Sequence, residues 1–366
     1  MGGIEHIGEG IIADLAARLP RQRKTQRAKL GLLVATMLEA RSANLMDLAA
    51  ALPRPTERLD MRYQWIERLL ADPRLEVDAV MEPYARELLG RAAASGQRLV
   101  LILDQTRATA RHQVLMLGLR VGGRALPLAW RVRETRGGIG FAEQESLVRL
   151  VAAWLPAGAG AVLMGDRFYG SPDLILLCRS LGWAYRLRLK GDLLVTVEGG
   201  ETTTGECAAR GEHLLPDVGL TAREVPTSIA IVHEPGHPEP WIIAMSEPPT
   251  TYRAFDYGLR WGIGAMFSDF KSRGSGPEDS RIRHAERLAR LLLVMALALH
   301  WAVSTGMWDA AVHPFPAEKN LPRPARESSP AALPRSSSVV CAASGGCSSS
   351  SSLYRPFGAP GRTDGW

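Results

Sequence analysis

The stretch Leu99-Val-Leu-Ile-Leu-Asp-Gln-Thr106 decides the fold class, because five apolar residues run without a break into an aspartate. A short apolar run of this kind is typical of a strand that is buried on both faces of a sheet. The run Ala161–Met164 repeats the pattern and leads through Gly165 into Asp166. The two runs therefore predict two buried strands, each of which ends on a carboxylate.

The residues around these two strands alternate between strand and helix patterns. We expect strands at Gln113–Val121 and Ala125–Val132, helices at Ala142–Trp154 and Pro172–Leu181, and a strand at Trp183–Lys190. The resulting order, β-β-β-α-β-α-β, predicts a mixed α/β sheet.

The rest of the chain divides by texture into four further segments. Residues 1–97 carry apolar residues at helical spacing and predict a helical N-terminal region, and residues 98–190 hold the α/β pattern. Residues 191–248 alternate between short apolar runs and Gly- or Pro-rich turns, which predicts a β-rich insertion. Helical spacing returns over residues 249–310, and the Ser-, Pro- and Ala-rich tail, residues 311–366, predicts disorder.

Composition excludes several classes of protein. The 366 residues carry a net charge of +6, and no apolar run reaches the ~18 residues of a membrane span. The N-terminus lacks the pattern of a secretory signal, and the four cysteines form no Cys-x-x-Cys pair. We expect a cytoplasmic protein with no membrane association.

Basic residues give the first indication of a partner. Arginine supplies 39 of the 44 basic residues, which reflects either codon bias or the bidentate grip of arginine on phosphate. Five positive charges lie within Arg21–Lys29. The charges of Arg21, Arg23 and Lys24 predict a DNA-docking helix, since such charges release counterions from DNA. The alternative is a solvated helix face.

Asp104 and Asp166 are the strongest candidates for a chemical site. Side chains at strand ends converge in an α/β sheet, and two carboxylates placed in this way can bind Mg²⁺. The alternative is that each aspartate only caps a helix or forms a turn.

A second candidate is a helical face over residues 257–271. Tyr257, Arg260 and Lys271 fall within about 60° of one another at 100° per residue, and Gly264 lies on the same stripe. Cations that face a carboxylate pair predict a bound phosphodiester. A solvated amphipathic helix is the alternative.

These motifs together resemble an insertion-sequence transposase of the DDE class, in the IS-four-like group with the signature Tyr-x2-Arg-x3-Glu-x6-Lys. Leu103-Asp-Gln-Thr106 is similar to the first acidic motif, and Gly165-Asp-Arg-Phe-Tyr-Gly170 is similar to the second. Tyr257, Arg260 and Lys271 match the signature at its spacing. The resemblance covers roughly residues 30–310 and consists of three blocks in the family's order.

The resemblance implies a ribonuclease-H-like core with a β-rich insertion. It also implies cut-and-paste transposition of double-stranded DNA, acting on element ends and target, by a homo-oligomer bound to DNA. Two Mg²⁺ (or Mn²⁺) ions would be held by Asp, Asp and Glu and would promote in-line displacement at phosphorus. By resemblance, Arg260 and Lys271 would hold DNA phosphate, and Tyr257 would position the strand.

The sequence departs from the family at the third carboxylate. Gly264 stands where the family has Glu, and glycine has no side chain with which to bind a metal. Asp256, Asp269 and Glu278 are poor replacements by helical angle or by the intervening Gly274–Pro277 break. The expected function is therefore an impaired transposase. The alternatives are a non-catalytic remnant that binds element ends or an intact transposase, and another ribonuclease-H-like nuclease.

Overall fold

The structure, a computed structural model, describes residues 3–234, 236, 239–271 and 280–313. The predicted disordered tail, residues 311–366, lies outside the described residues except for its first three. Five helices precede the first strand: α1 (Gly3–Arg18), α2 (Lys24–Ala40), α3 (Leu45–Ala51), α4 (Leu59–Ala71) and α5 (Val77–Ala93).

One mixed sheet of ten strands follows. The strands are β1 (Leu99–Arg107), β2 (His112–Val121), β3 (Arg124–Glu134), β4 (Ala161–Gly165), β5 (Ala184–Arg188), β6 (Leu194–Val197), β7 (Gly200–Thr203), β8 (His213–Leu220), β9 (Val225–Val232) and β10 (Trp241–Met245). Their order across the sheet is β3-β2-β1-β4-β5-β10-β9-β8-β6-β7. The predicted mixed α/β sheet is confirmed.

Helices complete the element list. Along the chain, α6 (Phe141–Ala152) connects β3 to β4, and α7 (Pro172–Ser180) connects β4 to β5. α8 (Thr204–Ala209) connects β7 to β8. The remaining ones are α9 (Thr251–Phe255), a 3-10 helix (Asp256–Trp261), α10 (Gly262–Lys271) and α11 (Ala285–Val312).

The three central strands are parallel. β1 pairs with β4 in the register Leu103↔Gly165, and β4 pairs with β5 in the register Gly165↔Leu187. β4 is buried throughout, β5 is buried except at Arg188, and β1 is buried over most of Leu99–Leu103, which explains the continuous apolar runs in the sequence. The predicted order β-β-β-α-β-α-β over residues 99–188 is confirmed.

The strands of the segment 191–248 belong to the same sheet as the central strands. β10 pairs antiparallel with β5, Ile243 opposite Arg188, and β9 then pairs with β10. The predicted insertion therefore extends the central sheet. The sequence could not show this, because the pairing joins strands that are distant along the chain.

The chain forms two compact units, which divide it differently from the predicted segments. The sheet unit comprises Ala85–Arg107 and Gln113–Ala265. The helical unit comprises Met1–Tyr84, Ala108–His112 and the residues from Met266 onward. The segment expected as residues 249–310 is thus shared between the two units.

Two buried charged side chains in the helical unit have hydrogen-bond partners. Arg290 of α11 donates from Nε to the carbonyl of Leu75 and from Nη1 to that of Leu70, both at 3.0 Å. Asp14 accepts from Tyr84 Oη at 2.7 Å and from Arg18 Nε at 2.8 Å. These bonds offset the cost of burying charge. Those of Arg290 join α11 to the end of α4, and the bond from Tyr84 joins α5 to α1.

Helix α11 is the last helix of the predicted helical segment 249–310; it begins at Ala285 and continues through Gly306 to Val312. His284 has an extended backbone (φ −104°, ψ 125°) and is the N-cap residue, so the helix starts after it. The window Ala285–Ala310 is long and apolar enough to cross a membrane, but 67% of it is buried inside the protein. A core helix has the same properties.

The stripe predicted over residues 257–271 does not lie on one regular α-helix. Residues 256–261 form a 3-10 helix, and α10 begins at Gly262. A 3-10 helix turns about 120° per residue, so the angle calculated at 100° per residue does not carry through to Lys271. Tyr257 and Arg260, three residues apart, lie on one face of the 3-10 helix.

Candidate active site

Asp104 and Asp166 occupy equivalent levels on neighbouring parallel strands. Each comes one residue after the aligned pair Leu103↔Gly165. Parallel strands lie roughly 5 Å apart, so the register brings the two backbones side by side. The predicted meeting of the two aspartates is found.

Side-chain alternation places both aspartates on one face of the sheet. Val162 and Met164 share that face with Asp166, and both pack in a cluster with Leu259 of the 3-10 helix. The 3-10 helix therefore covers the face that carries the carboxylates. This packing is what positions Arg260, the next residue.

A tight turn holds Asp166. Its Oδ1 accepts from the backbone N–H of Phe168 at 2.8 Å, and its carbonyl accepts from the N–H of Tyr169 at 2.9 Å. A Cβ at Gly165 would lie 2.8 Å from Cβ of Tyr169, so glycine is needed just before the aspartate. Asp166 therefore also stabilises a turn, which is the role that the alternative interpretation gave it.

Asp104 is bonded at both oxygens. Oδ1 accepts from the N–H of Gln105 at 2.8 Å, and Oδ2 accepts from Nη1 of Arg260 at 3.2 Å. Burial and the nearby charge of Asp166 raise the pKa of Asp104 to about 6, against the opposing effect of Arg260. The carboxyl is therefore half-protonated near pH 6 in the absence of a cation.

Tyr257 and Arg260 lie together beside this pair. Cζ of Arg260 lies 5.5 Å from the centre of the Tyr257 ring, a cation–π contact. Tyr257 is buried against Trp241, with ring centres 5.2 Å apart. Burial raises the pKa of Tyr257 to about 12, so the phenol stays neutral.

Tyr169 was not predicted from sequence as a site residue. It is fully buried, and its hydroxyl has no hydrogen-bond partner among the described residues. Burial, together with the charges of Asp104 and Asp166, raises the pKa of its phenol. Its position three residues after Asp166 in the turn was the available signal.

Arg188 was also missed. It ends β5 one residue after Leu187, which pairs with Gly165, so it stands at the level of Asp166. Glu239 bonds Arg167 at 2.7 Å and lies 3.7 Å from Arg188. The available signal was that a charged residue comes at or directly after the last residue of β5, as Asp166 comes directly after β4.

Position 264 is open. Gly264 is exposed, and a Cβ built there would have no atom within 4 Å. The remaining predicted site residues lie in the helical unit. Lys271 is exposed at the end of α10, and Arg21, Arg23 and Lys24 are exposed between α1 and the start of α2.

The described residues contain no group of three or more His, Cys, Asp or Glu side chains able to hold a metal ion. The two aspartates still fit one hard cation, since Mg²⁺ is commonly bound through one or two carboxylates and several waters. The unpartnered hydroxyl of Tyr169 beside them fits a hydrated ion. The donor set for two ions is incomplete in the described part of the chain.

Comparisons with known proteins give little. No protein-family model matches the chain, and no curated protein does. Among solved structures, the crystal structure of human ENDOV is similar over 60% of this chain and 99% of its own, at 12% identity and a TM-score of 0.25. At that TM-score the match carries no argument about function.

Proposed function

We propose that this chain is a DNA-binding protein with a ribonuclease-H-like core, descended from DDE-class transposases and impaired in strand cleavage. One observation carries the proposal: Arg260 bonds Asp104 from 156 residues away, at the strand end where Asp166 also lies. The three sequence blocks that resemble the transposase motifs thus contribute to one site.

The charges of the site suit a phosphodiester. Arg260 is only 17% exposed, and a guanidinium in such a site binds phosphate oxygens more strongly than in open water. Tyr257 supports it through the ring contact and keeps it on the carboxylate face. Arg260 would therefore hold a phosphate next to Asp104 and Asp166.

Asp104 and Asp166 would hold Mg²⁺ or Mn²⁺. When bound, such an ion supplies positive charge at the phosphate and favours attack by water or a 3′ hydroxyl. The carboxylates must be ionised to bind it, and the raised pKa of Asp104 makes this binding weaker below about pH 6.

Gly264 is the reason for the proposed impairment. The family signature requires a third carboxylate at this position, and the two aspartates account for one ion only. The open space around Gly264 means that the missing side chain is not excluded by packing.

A non-catalytic DNA-binding role is the second candidate, and a specific contact favours it. Arg260 forms an ion pair with Asp104, so one of the two carboxylates has a positively charged partner without any metal ion. A remnant of this kind would bind element ends, or pair with an intact transposase, without cutting. In either case we propose double-stranded DNA as the partner, a homo-oligomer on DNA, and a cytoplasmic setting.

Restoring the carboxylate tests the proposal. Wild type, Gly264→Glu and the uncharged control Gly264→Gln are each given a labelled element-end duplex with Mg²⁺ or Mn²⁺. We expect cleavage by Gly264→Glu alone, and its loss when Asp104→Asn or Asp166→Asn is added. Equal activity of all three proteins would contradict the assignment of position 264.

Two other results separate the candidates. DNA binding by wild type with no cleavage by any variant supports the non-catalytic remnant. Cleavage that is indifferent to the terminal sequence of the duplex supports a nuclease outside transposition.

A further inference from the structure

The helical unit contains a cavity of about 230 Å³ that is separate from the aspartate pair. It lies between α4 and the segment that leads into α11. The polar residues that line it include Tyr63, Glu67, Arg281, Arg283, His284 and Arg287. Three arginines and one histidine thus line one cavity with a single acidic residue, and Arg281, Arg283 and His284 are exposed to solvent there.

The positive charge of the cavity is mostly uncompensated. Arg287 lies 3.8 Å from Glu67, a long and half-exposed pair. Arg281 and Arg283 form no ion pair with any residue that the structure describes. Counting Arg281, Arg283 and Arg287 against Glu67 leaves an excess of two positive charges at neutral pH.

Two further features favour an anion. Tyr63 adds a half-buried hydroxyl, and its pKa is raised by burial and by Glu67 against the opposing charges of Arg281 and Arg287, so the hydroxyl stays a neutral hydrogen-bond donor. His284 is the N-cap of α11, and no side chain caps that end of the helix. The free N–H groups of the first turn and the helix dipole add to the charge of the arginines.

We propose that this cavity is a second anion site, which binds a phosphate group through Arg281, Arg283 and Arg287. Arginine forks match phosphate oxygens bidentately. The phosphate belongs either to a free ion or nucleotide or to a nucleic-acid backbone. The proposal does not depend on Asp104, Asp166 or cleavage.

Binding of two probes by the full chain tests this site. Inorganic phosphate is titrated calorimetrically at constant ionic strength, and a fluorescent duplex of arbitrary sequence is titrated by anisotropy. We expect the double change Arg281→Ala with Arg283→Ala to weaken phosphate binding roughly tenfold or more. We expect Glu67→Gln to strengthen it several-fold, since it removes the competing carboxylate.

Arg68→Ala is the matched control, because Arg68 is exposed on the same helix and does not line the cavity. A loss for phosphate alone assigns the site to free phosphate, and a parallel loss for the duplex assigns it to a DNA backbone. The proposal is overturned if neither the double variant nor Glu67→Gln differs from Arg68→Ala with either probe. Glu67→Gln keeps the test valid if the double variant does not fold.

Discussion

Arg260 donates a hydrogen bond of 3.2 Å to Asp104, and both side chains are about one-sixth exposed. The guanidinium opposes two effects that keep a proton on Asp104, its burial and the charge of Asp166. Arg260 therefore favours the ionised form of Asp104, although burial and Asp166 together outweigh it.

Replacing Arg260 with Gln is expected to raise the pKa of Asp104 above its value of about 6, by roughly one unit. The measurement is a carboxyl ¹³C NMR titration of aspartate-labelled, metal-free protein. Arg253→Gln is the control, since Arg253 instead donates to the carbonyl of Pro248. An unchanged titration of Asp104 would show that Arg260 does not act on it.

The same carboxyl predicts a pH dependence of stability. The pKa of Asp104 is about 6 in the folded protein and about 3.9 in an unfolded chain. The folded state binds more protons between these values, so the free energy of unfolding falls as pH rises from about 4 to 6. The full loss is roughly 3 kcal/mol, by linkage.

Asp104→Asn should remove this dependence. Relative to wild type, the variant is expected to gain stability from about pH 4 to pH 6 and to keep a nearly constant advantage above about pH 6. Urea denaturation in the presence of EDTA, followed by tryptophan fluorescence, measures the difference. Parallel pH profiles for the two proteins would mean that Asp104 titrates normally.

Tyr169 predicts opposite effects with and without metal. Its buried hydroxyl has no partner among the described residues, and such a group costs about 1–3 kcal/mol. Tyr169→Phe should therefore stabilise the metal-free protein, by about 1 kcal/mol, and weaken Mn²⁺ binding.

Tyr185→Phe is the matched control for Tyr169→Phe. The hydroxyl of Tyr185 is also buried but lies 3.0 Å from Oγ1 of Thr227. Its removal should destabilise the protein by about 1 kcal/mol and leave Mn²⁺ binding unchanged. Thermal unfolding with EDTA and Mn²⁺ titration measure both effects, and the same sign for the two variants would refute the argument.

The central strands were predictable because their signal is local. Leu99–Leu103 and Ala161–Met164 are continuous apolar runs, and strand ends in such sheets converge, so the meeting of Asp104 and Asp166 followed. The joining of β10 to β5 was not predictable, because it depends on pairing between distant strands.

The helix that carries Arg260 was predicted only in part. Spacing placed Tyr257 and Arg260 on one face, but it gave no sign of the 3-10 turn that ends at Trp261. Packing against the sheet determines that turn, since Leu259 lies on Val162 and Met164. The position of Arg188 level with Asp166 follows from the register between β4 and β5, and that register could not be predicted from the sequence.

Two glycines of α10 predict different effects of alanine on the stability of the protein. A Cβ at Gly262 would lie 3.2 Å from the backbone carbonyl carbon of Arg124, whereas a Cβ at Gly264 would meet nothing within 4 Å. Gly264→Ala should stabilise the protein by up to about 1 kcal/mol, from helix propensity. Gly262→Ala should gain less or destabilise, because the hairpin at Arg124 must shift. Chemical denaturation measures both, and equal gains would show that the contact at Gly262 is relaxed.

The basic segment before α2 predicts a salt dependence of DNA binding. Arg21, Arg23 and Lys24 are exposed, so each is free to meet a phosphate. Replacing all three with Ala should reduce the slope of log affinity against log salt by roughly 2–3, since each phosphate contact contributes about 0.9.

Arg27→Ala is the control, because Arg27 donates to the carbonyls of Ala16 and Leu19 within its own unit. The slope is measured by fluorescence anisotropy with a labelled duplex at salt concentrations from about 50 to about 200 mM. If the triple variant keeps the wild-type slope, the segment is a solvated helix face and DNA docks elsewhere.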